Sequence, residues 1–533
     1  MEKSGRLRKS VGGNAMNRER MIRELEESPD KWDVIIIGGG ATGLGAAVDS
    51  ASRGYKTLLL EQSDFVKGTS SRSTKLIHGG LRYLQQGNIT LVIEALKERG
   101  LLCQNAPHLI HHLPFLVPNY QWWEGGFYGV GLKIYDMLAG KLGIEKSRSL
   151  TRQATLRAIP TLEPKGLRGG SIYFDGQFDD ARLGICLAQT AVEQGAALLN
   201  YMKVTGLIKK KGLCCGVHAT DQETGMRYTI HGKAVINATG VFSDQLLKKD
   251  NPKAKSIIAP SQGVHIVLDP SFKPGKTAIM VPHTADKRVL FMVPWHDRVL
   301  LGTTDTPVSK VSLEPRPLKR EIEFLLTHAA KYLTKDPSRE DILSMFAGLR
   351  PLVQAGKGEN TAELSRDHTI LVSKSGLITI AGGKWTTYRK MAEDVVNKAG
   401  IVGGLPDRGC ITKTLKLYGW AEGLDPTQPI STYGAHANAV KALARKKKEW
   451  SGALHPRLPY LKSEVIWAVR EEMARTLEDV LARRTRSLLL DAKASLEIAP
   501  KVASLIAKEL KRDHQWEKNQ VKEYNILTSH YLV

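Results

Sequence analysis

The chain has 533 residues, of which 42% are hydrophobic and 25% are charged. This composition is typical of a globular protein, and the length predicts roughly three domains. A formal net charge of +23 favours anionic partners: phosphorylated substrates, anionic lipid or nucleic acid. The five cysteines have no zinc-ligand spacing, and their odd number argues against a disulfide framework. We therefore expect a reducing compartment and no metal site.

Residues 1–31 are predicted to form a basic, helix-prone arm. No apolar segment follows the first basic residues, which excludes a secretory signal. Glu19, Glu24, Glu26 and Glu27 count against a mitochondrial presequence, which should be poor in acids. The sequence has no run of eighteen apolar residues, so we expect no transmembrane helix. A protein of this kind that works at a membrane would lie on its surface.

The next segment has the pattern of a dinucleotide-binding unit. A run of four apolar residues predicts a buried parallel strand, and a G-x-G-x-x-G sequence, a helix and a second strand follow it. Gly38 allows the tight turn, Gly40 lets a pyrophosphate approach the backbone, and Gly43 lets the helix pack closely on the strand. Glu61 ends the second strand, where it can accept hydrogen bonds from a ribose.

Residues 68–83, GTSSRSTKLIHGGLRY, follow the second predicted strand. A surface loop would also be rich in Ser and Gly, but apolar residues flank the His-Gly-Gly sequence and favour a buried turn beside a cofactor. Ligands bind at this carboxyl edge of the sheet in open α/β folds. The cofactor contacts predicted here are Ser70, Ser71, Ser73, Thr74, Gly79 and Gly80.

The segment 101–143 is apolar and rich in aromatic residues. Core packing of a second domain is one interpretation. A partly exposed aromatic patch that enters a membrane interface is the alternative, and the sequence leaves both open. The aromatic residues in question are Tyr120, Trp122, Trp123, Phe127 and Tyr128.

The middle of the chain predicts a helix over 179–193, strands from 196 to 231, and a buried strand over 233–238. This last strand ends in a small-residue turn at Gly240, where the backbone can approach a nucleotide. Residues 261–305 predict antiparallel strands of a sheet that covers the substrate. His265 lies inside the first of these strands, where a lone histidine is more often a core residue than a functional one.

A second unit of strand, glycines and helix occurs at 377–398. Gly382 and Gly383 follow a β-branched strand, and Lys384, Thr386 and Thr387 begin the helix. Phosphate or flavin dipoles are favoured at such a helix start. Two widely separated units fit FAD better than NAD, because the flavin end needs its own support.

After residue 400 the composition changes to a predicted linker at 403–406 and then to a helical region. The basic run 445–448 predicts either a solvated helix face or a contact with anionic lipid. Helices are predicted over 435–448, 462–475, 476–484 and 496–513.

Taken in order, these motifs resemble the FAD-dependent glycerol-3-phosphate dehydrogenase family over nearly the whole chain. The similarity is carried by the 68–83 stretch, DGQFDDAR at 175–182, AGLRPLV at 347–353, SRDH at 365–368 and AGGKWTTYRKMAEDVV at 381–396. It is closer to the mitochondrial type than to the compact bacterial one. Animal mitochondrial enzymes carry EF-hands, but this sequence has no such calcium loop. Calcium regulation is therefore not expected.

The resemblance implies an α/β architecture. It consists of a Rossmann-like FAD-binding domain interleaved with an antiparallel-sheet cap or substrate domain, and a C-terminal all-helical domain. The implied boundaries are an arm at 1–31, the FAD-binding domain at 32–399 with cap segments at roughly 105–175 and 260–345, and the helical domain at 400–533.

The resemblance also implies oxidation of sn-glycerol 3-phosphate at C2 to dihydroxyacetone phosphate, with hydride passing to FAD. Arg82, Arg350 and Arg366 are expected to contact the phosphate and the developing carbonyl, because guanidinium groups bind phosphate in a bidentate manner. Tyr83 is a further expected substrate contact.

A base is needed near the C2 hydroxyl. His265 is the first candidate and His78 the second, since histidine has a suitable pKa. Lys384 is expected to stay charged beside the flavin and to stabilise its reduced anion.

The electron acceptor implied by the family is a membrane quinone. The related glycerophosphate oxidases use oxygen, but they carry an extra segment that this sequence lacks. An amine or amino-acid oxidase of the same fold would need a carboxylate clamp and fewer site arginines. The net charge is the only feature that favours a tRNA-binding flavoprotein. Because the sequence contains no RNA-binding module, we predict no nucleic-acid partner.

The expected location is the cytoplasmic face of a bacterial inner membrane, at an anionic lipid surface, rather than a mitochondrion. The sequence leaves the oligomeric state open, with a homodimer as one option.

Overall fold

A computed structural model of the protein describes residues 16–533 apart from 86, 283, 285–288, 355–367 and 427. The strands are β1 (Trp32–Ile37), β2 (Thr57–Leu60), β3 (Leu76–Ile77), β4 (Ile110–Asn119), β5 (Arg148–Thr151), β6 (Gly169–Phe178), β7 (Ala197–Leu199), β8 (Met202–Lys210), β9 (Leu213–Asp221), β10 (Arg227–Asn237), β11 (Ile258–Leu268), β12 (Ala278–Val281), β13 (Leu290–Trp295), β14 (Arg298–Gly302), β15 (Thr306–Pro307), β16 (Ile342–Val353), β17 (His368–Val372), β18 (Ile378–Gly382), β19 (Ala453–His455) and β20 (Leu458–Leu461).

The α-helices connect the two large sheets and build the C-terminal region. They are α1 (Arg18–Glu27), α2 (Ala41–Ser52), α3 (Leu81–Gln85), α4 (Ile89–Asn105), α5 (Glu124–Ala139), α6 (Arg152–Ala158), α7 (Asp180–Glu193), α8 (Ser243–Asp250), α9 (Lys319–Ala330), α10 (Tyr388–Val402), α11 (Ala437–Lys446), α12 (Lys462–Glu471), α13 (Ser487–Leu490), α14 (Ala492–Leu510) and α15 (His514–Thr528).

The first sheet is the predicted dinucleotide-binding sheet. Its strands lie in the order β17-β18-β10-β1-β2-β7, and β18, β10, β1, β2 and β7 are parallel. The apolar run of β1 is buried, and α2 packs against α7 and α10 over the sheet. This arrangement explains the apolar run, because a parallel strand at the centre of such a sheet meets apolar neighbours on both faces. The carboxyl ends of β1, β10 and β18 lie at one edge.

The second sheet corresponds to the predicted cap and is antiparallel except between β12 and β4, which pair in parallel. It has the order β15-β11-β14-β13-β12-β4-β6-β3, with β16 paired to β11 and β5 paired to β6. Its strands come from two separate parts of the chain, 76–178 and 258–353, which interleave with the first sheet. The strand β16 pairs with β11 along its whole length.

The C-terminal region is helical, with several departures from the predicted elements. The hairpin β19–β20 was not predicted, nor was α15. The helix predicted over 462–475 ends at Glu471, and a π-helical turn follows at Asp479–Arg484. Its arginines point inward to buried acids: Arg484 lies 2.7 Å from Asp64 at the end of the first sheet. These buried pairs hold the chain in a conformation that helical periodicity alone does not predict.

The predicted N-terminal arm is packed on the body of the protein where the structure describes it. Asn17 caps α1, Met21 and Leu25 are buried, and the Arg18 guanidinium lies 2.7 Å from the Asp221 carboxylate. Among the described residues, no helix combines the length and apolar character that crossing a membrane would require.

Candidate functional site

A cavity of about 730 Å³ lies between the two sheets. The glycine-rich ends of the first sheet form one side, and β11 and β16 form the other. The predicted site residues that line this cavity are Gly38, Gly40, Glu61, Ser70, Ser73, Thr74, His78, Tyr83, Gly240, His265, Arg350, Gly382, Gly383, Lys384 and Thr386. Residues up to 348 positions apart in the sequence, Gly38 and Thr386, therefore face one space. A chain distance of this size explains why no single motif reveals the cavity.

Other predicted site residues lie beside the cavity rather than in its lining. Gly43 packs in α2, Ser71 and Thr387 are buried, and Gly79 donates its N–H to the Tyr135 hydroxyl at 2.8 Å. Gly80 lines a second, smaller cavity. These residues support the wall from behind.

Two predicted substrate contacts have no described side-chain position. The prediction for Arg366 falls outside the described residues. Arg82 lies in α3, but its side chain is likewise outside the description. Their roles stay predictions.

The glycine side of the cavity is shaped by close backbone contacts. Gly38 has φ +109°, and a Cβ atom on Gly43 would lie 1.9 Å from the Gly38 carbonyl oxygen. Gly383 has φ +77°, so the second unit also needs glycine. A Cβ on any of these residues would fill or deform a surface that a dinucleotide backbone has to approach.

The Glu61 carboxylate is fixed at the carboxyl end of β2. It accepts hydrogen bonds from the N–H groups of Gly39 at 2.7 Å and Ser63 at 2.9 Å. Burial raises its pKa in spite of these two donors. Each carboxylate oxygen keeps a further acceptor lone pair, so the geometry is compatible with the predicted ribose contact.

At the start of α2, the Ala41 N–H donates to the Ser70 hydroxyl at 2.9 Å. The Trp385 indole N–H donates to the Ser70 carbonyl at the same distance. Ser70 therefore joins the first glycine unit to the second. The two ends of the cavity are built as one cradle.

His265 reaches the cavity from β11 and is only 3% exposed. Its Nε2 atom shares a hydrogen bond of 2.9 Å with the Thr74 hydroxyl, and its ring stacks on Phe346 at 5.0 Å. The Nδ1 atom has no hydrogen-bond partner among the residues that the structure describes. Burial, followed by the charges of Lys75 and Arg350, lowers the pKa of His265 well below its ordinary value. The ring is thus neutral at physiological pH.

A group of polar side chains meets where the main cavity joins the smaller one of about 180 Å³. The Arg350 guanidinium donates to the Thr304 carbonyl at 3.0 Å and lies 3.5 Å from Asp305. The Lys384 ammonium lies 3.9 Å from the centre of the Tyr83 ring. Two cations therefore stand at this junction beside the predicted base.

Comparison with known proteins gives the family. The profile of FAD dependent oxidoreductases matches residues 33–389, and that of the C-terminal domain of alpha-glycerophosphate oxidase matches 378–518. A probable mitochondrial glycerol-3-phosphate dehydrogenase of Caenorhabditis elegans is 42% identical over 95% of this chain and 74% of its own length. The human mitochondrial enzyme is 40% identical, over 95% and 75%. The chain belongs to the FAD-dependent glycerol-3-phosphate dehydrogenases.

A solved structure agrees with this family membership. The glycerol-3-phosphate dehydrogenase from Bacillus halodurans, complexed with FAD, has a TM-score of 0.80 and 31% identity, and the match covers 97% of this chain and 98% of that one. FAD is accordingly the cofactor, and the glycine cradle has the shape that a dinucleotide requires. In this family member, the carboxyl edge of the parallel sheet faces the side chains of the cap.

Several residues at the site were missed by sequence reasoning. Lys75 is buried in the 68–83 stretch, Asp175 lines the smaller cavity, and Asp180 accepts hydrogen bonds beneath the wall. All three lie in motifs that the resemblance had singled out. Their roles depend on tertiary partners, so the sequence holds the residues but no signal for what they contact.

Proposed function

We propose that this protein oxidises sn-glycerol 3-phosphate at C2 to dihydroxyacetone phosphate and passes the electrons on to a membrane quinone. One observation carries the proposal. A neutral buried histidine and the Arg350 guanidinium of the cap meet, at the cavity junction, the Lys384 ammonium of the second glycine unit. When bound, FAD supplies the hydride acceptor.

The cations suit a phosphorylated substrate. Arg350 presents a planar fork whose position is set by Thr303 and Thr304, and such forks bind phosphate oxygens with two parallel hydrogen bonds. Lys384 adds a point charge over the Tyr83 ring. We assign Arg82 and Arg366 to the same anion, on the basis of the sequence.

The proton from the C2 hydroxyl needs an acceptor. We assign this role to His265, because its ring is neutral, lies in the cavity wall and is held in orientation by Thr74 and Phe346. His78 also lines both cavities and is the second candidate. Tyr83 and Lys384 orient the substrate from the opposite side.

The membrane contact is proposed at the exposed face of α5. Trp122 is 81% exposed, and Phe127, Val130 and Met137 are exposed along the same segment. Exposed basic residues lie near this face, and they favour anionic lipid. These are Lys133, Lys146, Arg148 and Arg152. On the opposite face of α5, Tyr128, Leu132 and Tyr135 belong to the core, so the membrane interpretation is proposed for the exposed face alone.

The decisive experiment is anaerobic mixing of the purified holoenzyme with glycerol 3-phosphate. The absorbance of bound FAD should bleach, and dihydroxyacetone phosphate should form in equal amount. An enzyme that bleaches with amino acids but not with glycerol 3-phosphate would contradict the proposal. Reduced enzyme should then be reoxidised by a soluble quinone faster than by oxygen. Stoichiometric peroxide formation would instead favour the oxidase alternative.

The membrane proposal has its own test with vesicles of anionic phospholipid. Replacing Trp122 and Phe127 by Ser should reduce vesicle binding by at least about tenfold, because each aromatic side chain contributes roughly 1.5–3 kcal/mol when buried in an apolar phase. Ile401→Ser is the matched control, since Ile401 is 75% exposed elsewhere on the protein. Equal losses in both variants would contradict the assignment.

The placement at the cytoplasmic face of a bacterial membrane rests on the sequence alone, and cell fractionation tests it. The homodimer option is tested by light scattering in detergent.

A further inference from the structure

A buried carboxylate of α7, Asp180, accepts hydrogen bonds from two other segments of the chain behind the cavity wall. One oxygen of Asp180 accepts from the Ser73 N–H at 2.9 Å, the Ser73 hydroxyl at 2.7 Å and the Lys75 ammonium at 2.6 Å. The other oxygen accepts from the Arg486 guanidinium at 2.9 Å. Arg486 and Lys75 both also donate to the Ser71 carbonyl. The turn 71–75 is therefore held by a residue of α7 and a residue of the C-terminal region.

This turn carries the partner of His265. Thr74 lies between the two residues that Asp180 holds, and its hydroxyl meets His265 Nε2 at 2.9 Å. Lys75 has the left-handed φ of +63°, which a non-glycine residue adopts only when its surroundings impose it. The tight set of bonds to Asp180 supplies that constraint.

Lys75 also places a charge behind the His265 ring. Its ammonium lies 5.2 Å from the centre of the Phe346 ring, and His265 stacks on that ring at 5.0 Å. The Lys75 side chain is fully buried, so water screens this charge little. The resulting order, from the C-terminal region inward, is Arg486, Asp180, Lys75 and His265.

We propose that Lys75, Asp180 and Arg486 are positioning residues for His265. They hold the 71–75 turn so that Thr74 fixes the ring, and they place the Lys75 ammonium next to the His265–Phe346 stack. The catalytic meaning of this arrangement rests on the function proposed above. It gives the C-terminal region a part in the chemistry although none of its residues lines the main cavity among those described.

Other charged groups face this arrangement from the packed elements. Arg350 acts on His265 from β16, and Asp305 lies 3.5 Å from Arg350. Asp179 lies 3.4 Å from the Arg486 guanidinium and 3.7 Å from the His296 ring. The variants below leave all four of these groups in place.

The test uses holoenzyme labelled with 13C and 15N in histidine, with the His265 signals assigned by their loss in His265→Gln. In the unmodified protein the ring should stay neutral from pH 5.5 to pH 8. Lys75→Met should move the titration midpoint of His265 upward by about one pH unit or more, because a nearby like charge is removed. Arg486→Lys should change the Nε2 shift that reports the Thr74 hydrogen bond, since lysine cannot replace both bonds of the fork.

Arg182→Lys is the matched control. Arg182 also lies on α7 and forms a buried two-bond pair with Glu472 of the C-terminal region, at 2.7 and 2.8 Å. Arg182→Lys weakens this pair and should lower the melting temperature about as much as Arg486→Lys does, while the His265 signals stay unchanged. The proposal is overturned if Lys75→Met and Arg486→Lys leave the His265 signals as they were, or if Arg182→Lys alters them equally.

The test still decides when a variant fails to fold, and it does not depend on the proposed function. If Lys75→Met does not fold, Arg486→Lys and Thr74→Val carry the same test, and unchanged His265 signals in both would overturn the proposal. The ring measurement needs no substrate. If glycerol 3-phosphate fails to bleach the flavin, the proposed function is contradicted, but the histidine measurement still tests the positioning role of Lys75, Asp180 and Arg486.

Discussion

The two sides of the main cavity are built from different materials. On the parallel-sheet side, the surface is mostly backbone, and its shape depends on Gly38, Gly43 and Gly383 having no Cβ. On the antiparallel side, side chains such as His265 and Arg350 project from the strands. A backbone surface binds a group of fixed shape and is damaged by added atoms. A side-chain surface performs chemistry and is damaged by removed ones.

The largest expected effect is on the side-chain wall. His265→Ala should lower the rate constant of flavin reduction by about 10²–10⁴-fold, the usual contribution of a general base. The measurement is anaerobic stopped-flow mixing with glycerol 3-phosphate. The FAD content should remain that of the unmodified enzyme. If His78→Ala loses more rate than His265→Ala, the second candidate is the base.

On the backbone wall, one added methyl group should be enough to weaken FAD binding. Gly43→Ala would bring Cβ to 1.9 Å from the Gly38 carbonyl oxygen, so strand and helix must separate. We expect the affinity for FAD to fall by at least about tenfold, the equivalent of roughly 1.4 kcal/mol. Titration of apoprotein with FAD measures it. Gly409→Ala is the control because its Cβ would meet nothing within 4 Å, and an equal loss there would remove the distinction.

An effect of intermediate size is expected on the affinity for the substrate. Arg350→Lys keeps the charge and loses the planar fork, so the KM for glycerol 3-phosphate should rise by roughly tenfold, with FAD content unchanged. Arg298→Lys, on β14, should leave KM unaltered because its guanidinium bonds to the Asp297 and Arg457 carbonyls outside the cavity. A change in kcat without a change in KM would mean that Arg350 stabilises the transition state but does not contribute to binding of the substrate.

The smallest effect is expected from pH. Because burial, Lys75 and Arg350 lower the pKa of His265, the imidazole remains neutral and able to accept a proton from pH 8 down to pH 6. The rate constant of flavin reduction should therefore vary by less than about twofold over this interval. A loss of rate with a midpoint near pH 6.5, the ordinary histidine value, would mean that the titrating base is a solvated group.

Sequence reasoning reached the two glycine units because their tasks are local. The spacing of Gly38, Gly40 and Gly43 and the strand that precedes them state the geometry directly. The resemblance added the antiparallel cap and the residues that line the cavity from it.

What the sequence could not reveal depends on distant partners. Lys75 resembles any surface lysine until Asp180 and the aromatic rings enclose it, over a separation of 105 residues. The turn at 479–484 departs from the α-helical pattern because its arginines are drawn to buried acids. The β19–β20 hairpin is too short for its periodicity to be visible. Each case is set by tertiary contact rather than by local preference.

The position of β18 in the first sheet has a consequence for how the enzyme is made. Its cradle combines β1, which starts at Trp32, with β18, which ends at Gly382, so about 350 residues separate the halves. At roughly 5–20 residues per second, a ribosome needs on the order of 20–70 s to synthesise that interval. The first glycine unit of a nascent chain is therefore synthesised long before the second one. We therefore expect FAD to bind late in synthesis, and a chain truncated before β18 to lose FAD in a binding assay.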